Sequence, residues 1–365
     1  GPDASVVAGT DAGMAMVTPP PPALIVGGFE FTCGAPTPSD LRCWGANTLG
    51  QLGDGTRTTR PTATPVVGLT PPVTIVAAGA GHACAATATG VSCWGDNALG
   101  QLARTAGGTF PTPVPVAGLP SPVTDLAAGT GHTCAIASGQ LFCWGNNAFG
   151  QLGDTTLTPR TAPTLVALSG TPTQVSIFSN HTCARLDSGE VSCFGDNSNG
   201  AIGDGTVGGP VPTPTRVLDL GPSVQVVAGG SHSCAIEVSG LVKCWGDRNL
   251  GQCGDLGAAD MPPFAIRPRA AAVLGTILGP ALQIAAGSAH VCARTASRLY
   301  CWGDNGTSQC GVTVPGFYVR QPTEVIAAGM VDEVAAGSFH TCYRRGTTVS
   351  CLGLDSAGQL GDGTA

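Results

Sequence analysis

The sequence has 365 residues, 16 Lys and Arg against 23 Asp and Glu, and a net charge of −7, with charged residues only 11% of the chain. A binder of phosphate backbones needs a concentrated Lys/Arg footprint, so nucleic acid is excluded as a partner, and no partner is held mainly by charge. Gly (55) and Pro (29) approach the level at which disorder becomes the default reading, unless they recur at fixed places where turns need them.

They do recur. A Cys-aromatic-Gly centre appears at Cys43-Trp44-Gly45, Cys93-Trp94-Gly95, Cys143-Trp144-Gly145, Cys193-Phe194-Gly195, Cys244-Trp245-Gly246 and Cys301-Trp302-Gly303, and in altered form at Cys351-Leu352-Gly353. Neighbouring centres lie 50, 50, 50, 51, 57 and 50 residues apart. A period near 50 points to a closed array of four-stranded blades rather than a helical solenoid. Seven copies predict an all-β, seven-bladed β-propeller over residues 14–365 as one domain, preceded by an extension over residues 1–13.

Gly1-Pro2 looks like the scar left by a tag protease, so an export signal would have been trimmed. Met14 to Pro22 aligns without a gap on Pro65 to Val73, and the chain stops at Ala365, where other repeats continue into a Pro-rich strand. Met14 to Val17 is therefore expected to supply the fourth strand of the last blade and close the ring, leaving no open sheet edge there. In the second repeat the expected strands are Val73–Ala78, Ala83–Ala86, Val91–Trp94 and, after the loop DNALGQL, the edge strand Pro111–Val114.

A turn centred on Ala88 and Thr89 sets Cys84 opposite Cys93 on antiparallel strands, within bridging reach. The same hairpin recurs as Cys33/Cys43, Cys134/Cys143, Cys183/Cys193, Cys234/Cys244, Cys292/Cys301 and Cys342/Cys351. A metal site of His82, Cys84 and Cys93 is the rival reading, but Phe31 replaces His in the first repeat while Cys33 and Cys43 remain. One disulfide per blade implies an oxidising setting: extracellular, cell-surface or periplasmic. Cys253 and Cys310 each replace the Leu of the GQLG motif in adjacent repeats; an eighth, inter-blade disulfide is expected, the alternative being two buried thiols. No cofactor is expected. The aspartates Asp54, Asp154, Asp204, Asp255 and Asp362 read as Asx-turn formers, with calcium ligation as the rival.

The motif GHTCA followed by CWGNNAFGQLGD resembles the regulator-of-chromosome-condensation repeat in its bacterial, exported, cysteine-bearing form, over about residues 14 to 365. The resemblance implies the seven-bladed propeller but fixes no activity. The family's best-known member is a nuclear nucleotide-exchange factor; this chain departs from that role in its disulfide framework and its lack of a basic arm. An exported relative that inhibits β-lactamases through its loops shows what such a propeller does outside the cell.

All six His and all five Trp occupy repeat positions, which assigns them to architecture. Function is expected where the copies differ. Phe29, Glu30 and Phe339 fall in the turns before the His position of blades 1 and 7, and are expected to adjoin at closure as an aromatic patch, or else to plug the seam. The expansion Ala258 to Thr276 carries Met261, Phe264, Arg267 and Arg269; the next repeat adds Phe317, Tyr318 and Arg320. Tyr343, Arg344 and Arg345 form a third irregularity. The expected function is an exported, non-catalytic, monomeric scaffold recognising a protein or surface glycan through one face, without membrane insertion: the most apolar run, Ala270 to Leu282, is short and broken by Gly275, Gly279 and Pro280. The alternative is a lyase or hydrolase with its site at the mouth of the central channel.

Overall fold

The computed structural model describes residues 25–254, 266–273, 277, 279–312, 317–326 and 331–364. Over these residues the chain forms seven antiparallel sheets and no helix. Six sheets have four strands; the seventh has three among the described residues, Glu333–Ala336, His340–Arg345 and Thr348–Gly353. Met14 to Val17, expected to complete it, lies outside the described residues.

Blade 2 shows the plan. Its strands run in order Val73–Ala78, His82–Thr87, Gly90–Asp96 and Thr109–Pro115, each paired with the next. The inner strand is apolar except for Thr74, and four of its six residues are buried because both its faces meet other blades. The outer strand carries Pro111, Pro113 and Pro115, whose missing N–H groups are harmless on an edge. The inner strands Ile25–Gly27, Val123–Ala128, Pro172–Ile177, Ser223–Ala228, Gln283–Ala286 and Glu333–Ala336 repeat the arrangement. Each inner strand borders a central channel.

The hairpin register matches the expectation: Thr87 faces Gly90 and Cys84 faces Cys93. All seven predicted hairpin disulfides are formed, with sequence separations of 9 or 10. Facing cysteines sit about 4.1 Å apart at Cα in most blades, the close spacing of a non-hydrogen-bonded pair. The expected eighth disulfide is not formed: Cys253 and Cys310 remain buried thiols, donating to the carbonyls of Asp247 (3.4 Å) and Asp304 (3.3 Å). The reason is the repeat itself. Both replace the same loop leucine, so each occupies its own blade's core position, and equivalent positions are held one blade apart.

The loop after the third strand is organised by a buried Asn. Asn47 Nδ2 donates to Asp54 Oδ1 and to the carbonyls of Thr56 and Thr58, while its Oδ1 accepts from Leu52 N. Asp54 Oδ1 accepts from Thr56 N at 2.9 Å, the Asx turn the sequence suggested, and Oδ2 accepts from Arg60 Nε. Asp154 repeats this with Thr156 and Arg160, Asp204 accepts from Thr206 and from Asn197 Nδ2, Asp362 accepts from Thr364, and Asp255 lies outside the described residues.

Each disulfide closes a short loop, which in the chain-entropy treatment stabilises the fold by about 2.5 kcal/mol. The double substitution Cys84→Ala and Cys93→Ala is expected to lower the unfolding free energy by about that amount in urea titration. A change near zero would show that hairpin pairing, not cross-linking, already limits the unfolded chain.

Candidate functional site

Six imidazoles in one chain invite a catalytic reading. Every one is buried in a joint between blades. His82 Nε2 lies 2.9 Å from Thr133 Oγ1 of the next blade, and Thr133 Oγ1 donates to the Gln101 carbonyl at 2.9 Å. A threonine hydroxyl has one proton; since it goes to the carbonyl, the imidazole must be the donor. This fixes the neutral ring with its proton on Nε2, leaving Nδ1 bare, and His82 Nδ1 indeed has no partner. The Gln101 carbonyl also accepts from Trp144 Nε1 at 2.9 Å.

The clasp recurs around the ring as His132 to Thr182, His181 to Ser233, His290 to Thr341 and His340 to Thr32. The last of these joins blade 7 to blade 1, where Thr32 and Trp44 both donate to the Gln359 carbonyl. Where Phe31 replaces His, the next blade carries Ala83 in place of Thr, so the polar pair is exchanged whole for an apolar one. One joint breaks the rule. His232 faces blade 6, whose residue is Val291, and both its ring nitrogens are without partners.

Burial lowers the imidazole pKa throughout, to about 3 for His132, His232 and His290 and about 4 for His82, His181 and His340. These rings hold joints.

A second ring lines the channel. In five joints an inner-strand side chain bonds the backbone of the next inner strand. Asp125 accepts from Val175 N, Glu333 accepts from Ile25 N, and Gln174, Gln225 and Gln283 each both accept from and donate to Val226, Ile284 and Val334. The cavity they enclose measures about 360 Å³. At one end Phe29 of blade 1 stacks on Phe178 of blade 4, centroids 5.5 Å apart. Those blades do not adjoin, so the rings meet over the axis and cover that mouth.

Phe178 escaped the sequence reading, although its signal was there. The equivalent residue is glycine in the other six blades: Gly28, Gly79, Gly129, Gly229, Gly287 and Gly337. A Cβ on Gly79 would lie 2.6 Å from the ring of its own blade's His82, and those six turns close with a bond from the glycine N–H to the carbonyl three residues on. Among the described residues the Phe178 turn makes no such bond.

The end of the propeller carrying these turns also carries most of the sequence-selected residues. Glu30 is exposed beside Phe29. The turns of blades 1 and 7 do adjoin, through Ser338 N to the Gly28 carbonyl at 3.2 Å, but the Phe29 ring faces Phe178. Phe339 is 38% exposed and Phe317 68%, with Tyr318 beside it. Thr307 Oγ1 donates to the Phe339 carbonyl at 3.1 Å, tying the blade 6 loop to the blade 7 turn. Leu99 and Phe149 extend the exposed apolar surface on blades 2 and 3. Arg267 lies near this end, opposite Gly246, and is half-buried; Met261 and Phe264 lie outside the described residues.

The opposite end, with the hairpin tips, carries the ion pairs of Arg42 with Asp40, Lys243 with Glu237, Arg344 with Glu333 and Arg298 with Glu324, while the pairs of Arg60 with Asp54 and Arg160 with Asp154 lie in the loops of the aromatic end. The irregular Arg345 there lies over the Tyr343 ring. The aromatic end is therefore the candidate interaction face.

Residues 40–365 match the protein family described as RCC1-like domain. The fold superposes on yeast RCC1 (Prp20), solved with Kap60, with a TM-score of 0.79 at 18% identity, covering 98% of this chain and 87% of that one. Human WBSCR16 gives 0.77 at 20% identity, covering 90% and 86%. The CRINKLY WD40 ectodomain of the Arabidopsis thaliana receptor kinase ACR4 gives 0.53 at 20%, covering 91% and 95%. At these identities the likeness is one of fold. No curated protein matches the sequence significantly.

The joints generate two expectations. Val291→Thr supplies the missing hydroxyl between His232 and the Gln252 carbonyl, and is expected to raise the unfolding free energy by about 1 kcal/mol in urea titration. The second concerns pH. The folded histidine pKa values lie below the unfolded value of about 6.5, so the unfolded chain binds more protons in between, and stability present above that value is lost as pH falls towards 4 and below. Burial raises Asp125 to about 6, which adds a little stability as pH falls from there, but one group opposes six. Unfolding free energy measured from pH 7.5 to 4.5 is expected to fall; a flat profile would contradict the neutral-imidazole joints.

Proposed function

Because the chain belongs to the RCC1-like domain family, we propose that it is an exported, non-catalytic scaffold that recognises a protein or a surface glycan through the aromatic end of the propeller. The observation that carries this reading is the convergence of Phe317, Tyr318 and Phe339 as exposed aromatic side chains on adjoining, hydrogen-bonded loops. Aromatic residues on a rigid frame supply contact area at little entropic cost, and they are over-represented among residues that dominate binding energy. Among the described residues the hairpin-tip end exposes aliphatic side chains, Val238 and Leu241, but no aromatic one. Seven disulfides favour an oxidising compartment, outside the cytosol.

A protein partner is the first expectation. Yeast Prp20 was crystallised with Kap60, and a second structure of it was described together with its binding to Gsp1p and histones. Such partners do not transfer to this chain, whose charged residues make up only 11% of the sequence and suit an uncharged or apolar contact better than a charge-driven one.

Capture from intact cells and culture medium with the oxidised protein is expected to retain a specific protein or glycan. The variant Phe317→Ala, Tyr318→Ala, Phe339→Ala is expected to lose at least about tenfold in affinity, as removal of anchoring aromatics does. Equal capture by this variant, or loss instead on Val238→Ala and Leu241→Ala at the other end, would refute the choice of face.

A further inference from the structure

Three blades place an arginine at the same register position of the second strand. Arg185, Arg294 and Arg344 stand across from Gln174, Gln283 and Glu333 respectively. Two of them are engaged within or beside their own blade. Arg294 donates to Gln283 Oε1 at 3.2 Å and to the Val331 carbonyl at 3.3 Å; Arg344 donates to Glu333 Oε2 at 3.1 Å and to the Gly346 carbonyl at 2.9 Å.

Arg185 differs on every count. It is only 8% exposed, and it lines the central cavity, as neither of the others does. Its Nη1 reaches the Leu186 carbonyl at a long 3.4 Å, and its Nε has no hydrogen-bond partner. A buried guanidinium with N–H groups unmatched carries a desolvation cost that an incoming acceptor would relieve.

The same cavity holds an acid. Both carboxylate oxygens of Asp125 accept a backbone N–H, from Val175 at 2.8 Å and Leu126 at 3.0 Å, and each keeps a further lone pair. Asp125 and Arg185 feel one another's charge but are not in ion-pair contact, so a gap separates a fixed negative from a fixed positive group. The channel glutamines Gln174, Gln225 and Gln283 are committed at both ends to neighbouring backbones. The rest of the wall combines the hydroxyl side chains of Thr124, Thr173 and Ser176 with apolar groups, among them Ala127, Ile177, Ala285 and the Phe178 ring that covers one mouth. A volume of about 360 Å³ falls among those of small-molecule sites.

We propose that the central channel binds a small zwitterion with an apolar body, of the α-amino acid class, its carboxylate on Arg185 and its ammonium on Asp125. An anion without the ammonium meets the repulsion of Asp125, and a cation without the carboxylate meets that of Arg185. The site is distinct from the aromatic face and does not depend on it.

Neighbouring blades supply substitutions the fold already accommodates. Arg185→Ile copies Ile136 and Ile236 at the equivalent positions; Asp125→Gln copies Gln174, Gln225 and Gln283 and keeps an acceptor for Val175 N. The oxidised protein is titrated calorimetrically with the common amino acids singly at millimolar concentration. Controls are 4-methylpentanoate and 3-methylbutylamine, which are leucine lacking one charge or the other. At least one apolar amino acid is expected to bind, Arg185→Ile to weaken it by about tenfold or more, and Asp125→Gln to weaken the amino acid while strengthening 4-methylpentanoate. Absence of any amino acid binding, equal binding of leucine and 4-methylpentanoate, or unchanged binding in Arg185→Ile would each overturn the assignment. Thermal unfolding of both variants verifies that loss of binding is not loss of fold.

Discussion

A single buried hydroxyl sets the geometry of most blade joints. In Thr133 that hydroxyl has one proton and two lone pairs, and the joint uses it in both directions: it donates to the carbonyl of Gln101 on the previous blade's loop and accepts from His82 on the previous blade's strand. Strand and loop of one blade are thereby fixed relative to the next by the same atom. The tryptophan of the new blade adds a second donor to the same carbonyl, so the spacing between sheets follows from three side chains and one backbone oxygen. Because the ends of the ring obey the same rule, through His340, Thr32 and Gln359, closure needs no special device among the described residues.

Much of this was readable in the chain. The period of the Cys-aromatic-Gly centres reported the number of blades, because each blade must repeat one buried hairpin. The spacing from Cys84 to Cys93 reported the register, because a short turn leaves few ways to align the strands. Individual interactions between blades were less legible. The exchange of His for Phe31 could be seen, but its counterpart Ala83 lies in the next repeat, and only the ring shows that the two are partners. Cys253 and Cys310 mislead for a related reason. Adjacency of repeats suggests adjacency of residues, whereas rotational symmetry keeps equivalent atoms a full blade apart. Phe178 and Arg185 were overlooked because each stands among residues that looked structural; Phe178 is marked by departure from the glycine of the other six copies, whereas Arg185 shares its position with Arg294 and Arg344 and is marked only by the cavity it lines and the partner its Nε lacks.

The two ends of the propeller solve different problems with the same frame. At the hairpin tips, charged residues pair across short turns and keep the end well hydrated. At the other end the turns are tight, six of the seven carry glycine, and Phe317, Tyr318 and Phe339 stand exposed around them. Variation there costs the core little. That is why the exposed aromatic residues collect on this end, and why a propeller of nearly uniform blades can carry a surface that is not uniform.

Every cross-link joins two cysteines 9 or 10 residues apart within a single hairpin, and none of the seven spans a joint. Eight cysteines at random already admit on the order of 100 pairings, and fourteen admit vastly more. Here the right partner is always the nearest one along the chain still unpaired, and it arrives before the next hairpin begins. Oxidation can thus proceed in the order of synthesis without a search. A repeat that is copied or deleted as a unit brings or removes its own cross-link and leaves the wiring of the others untouched.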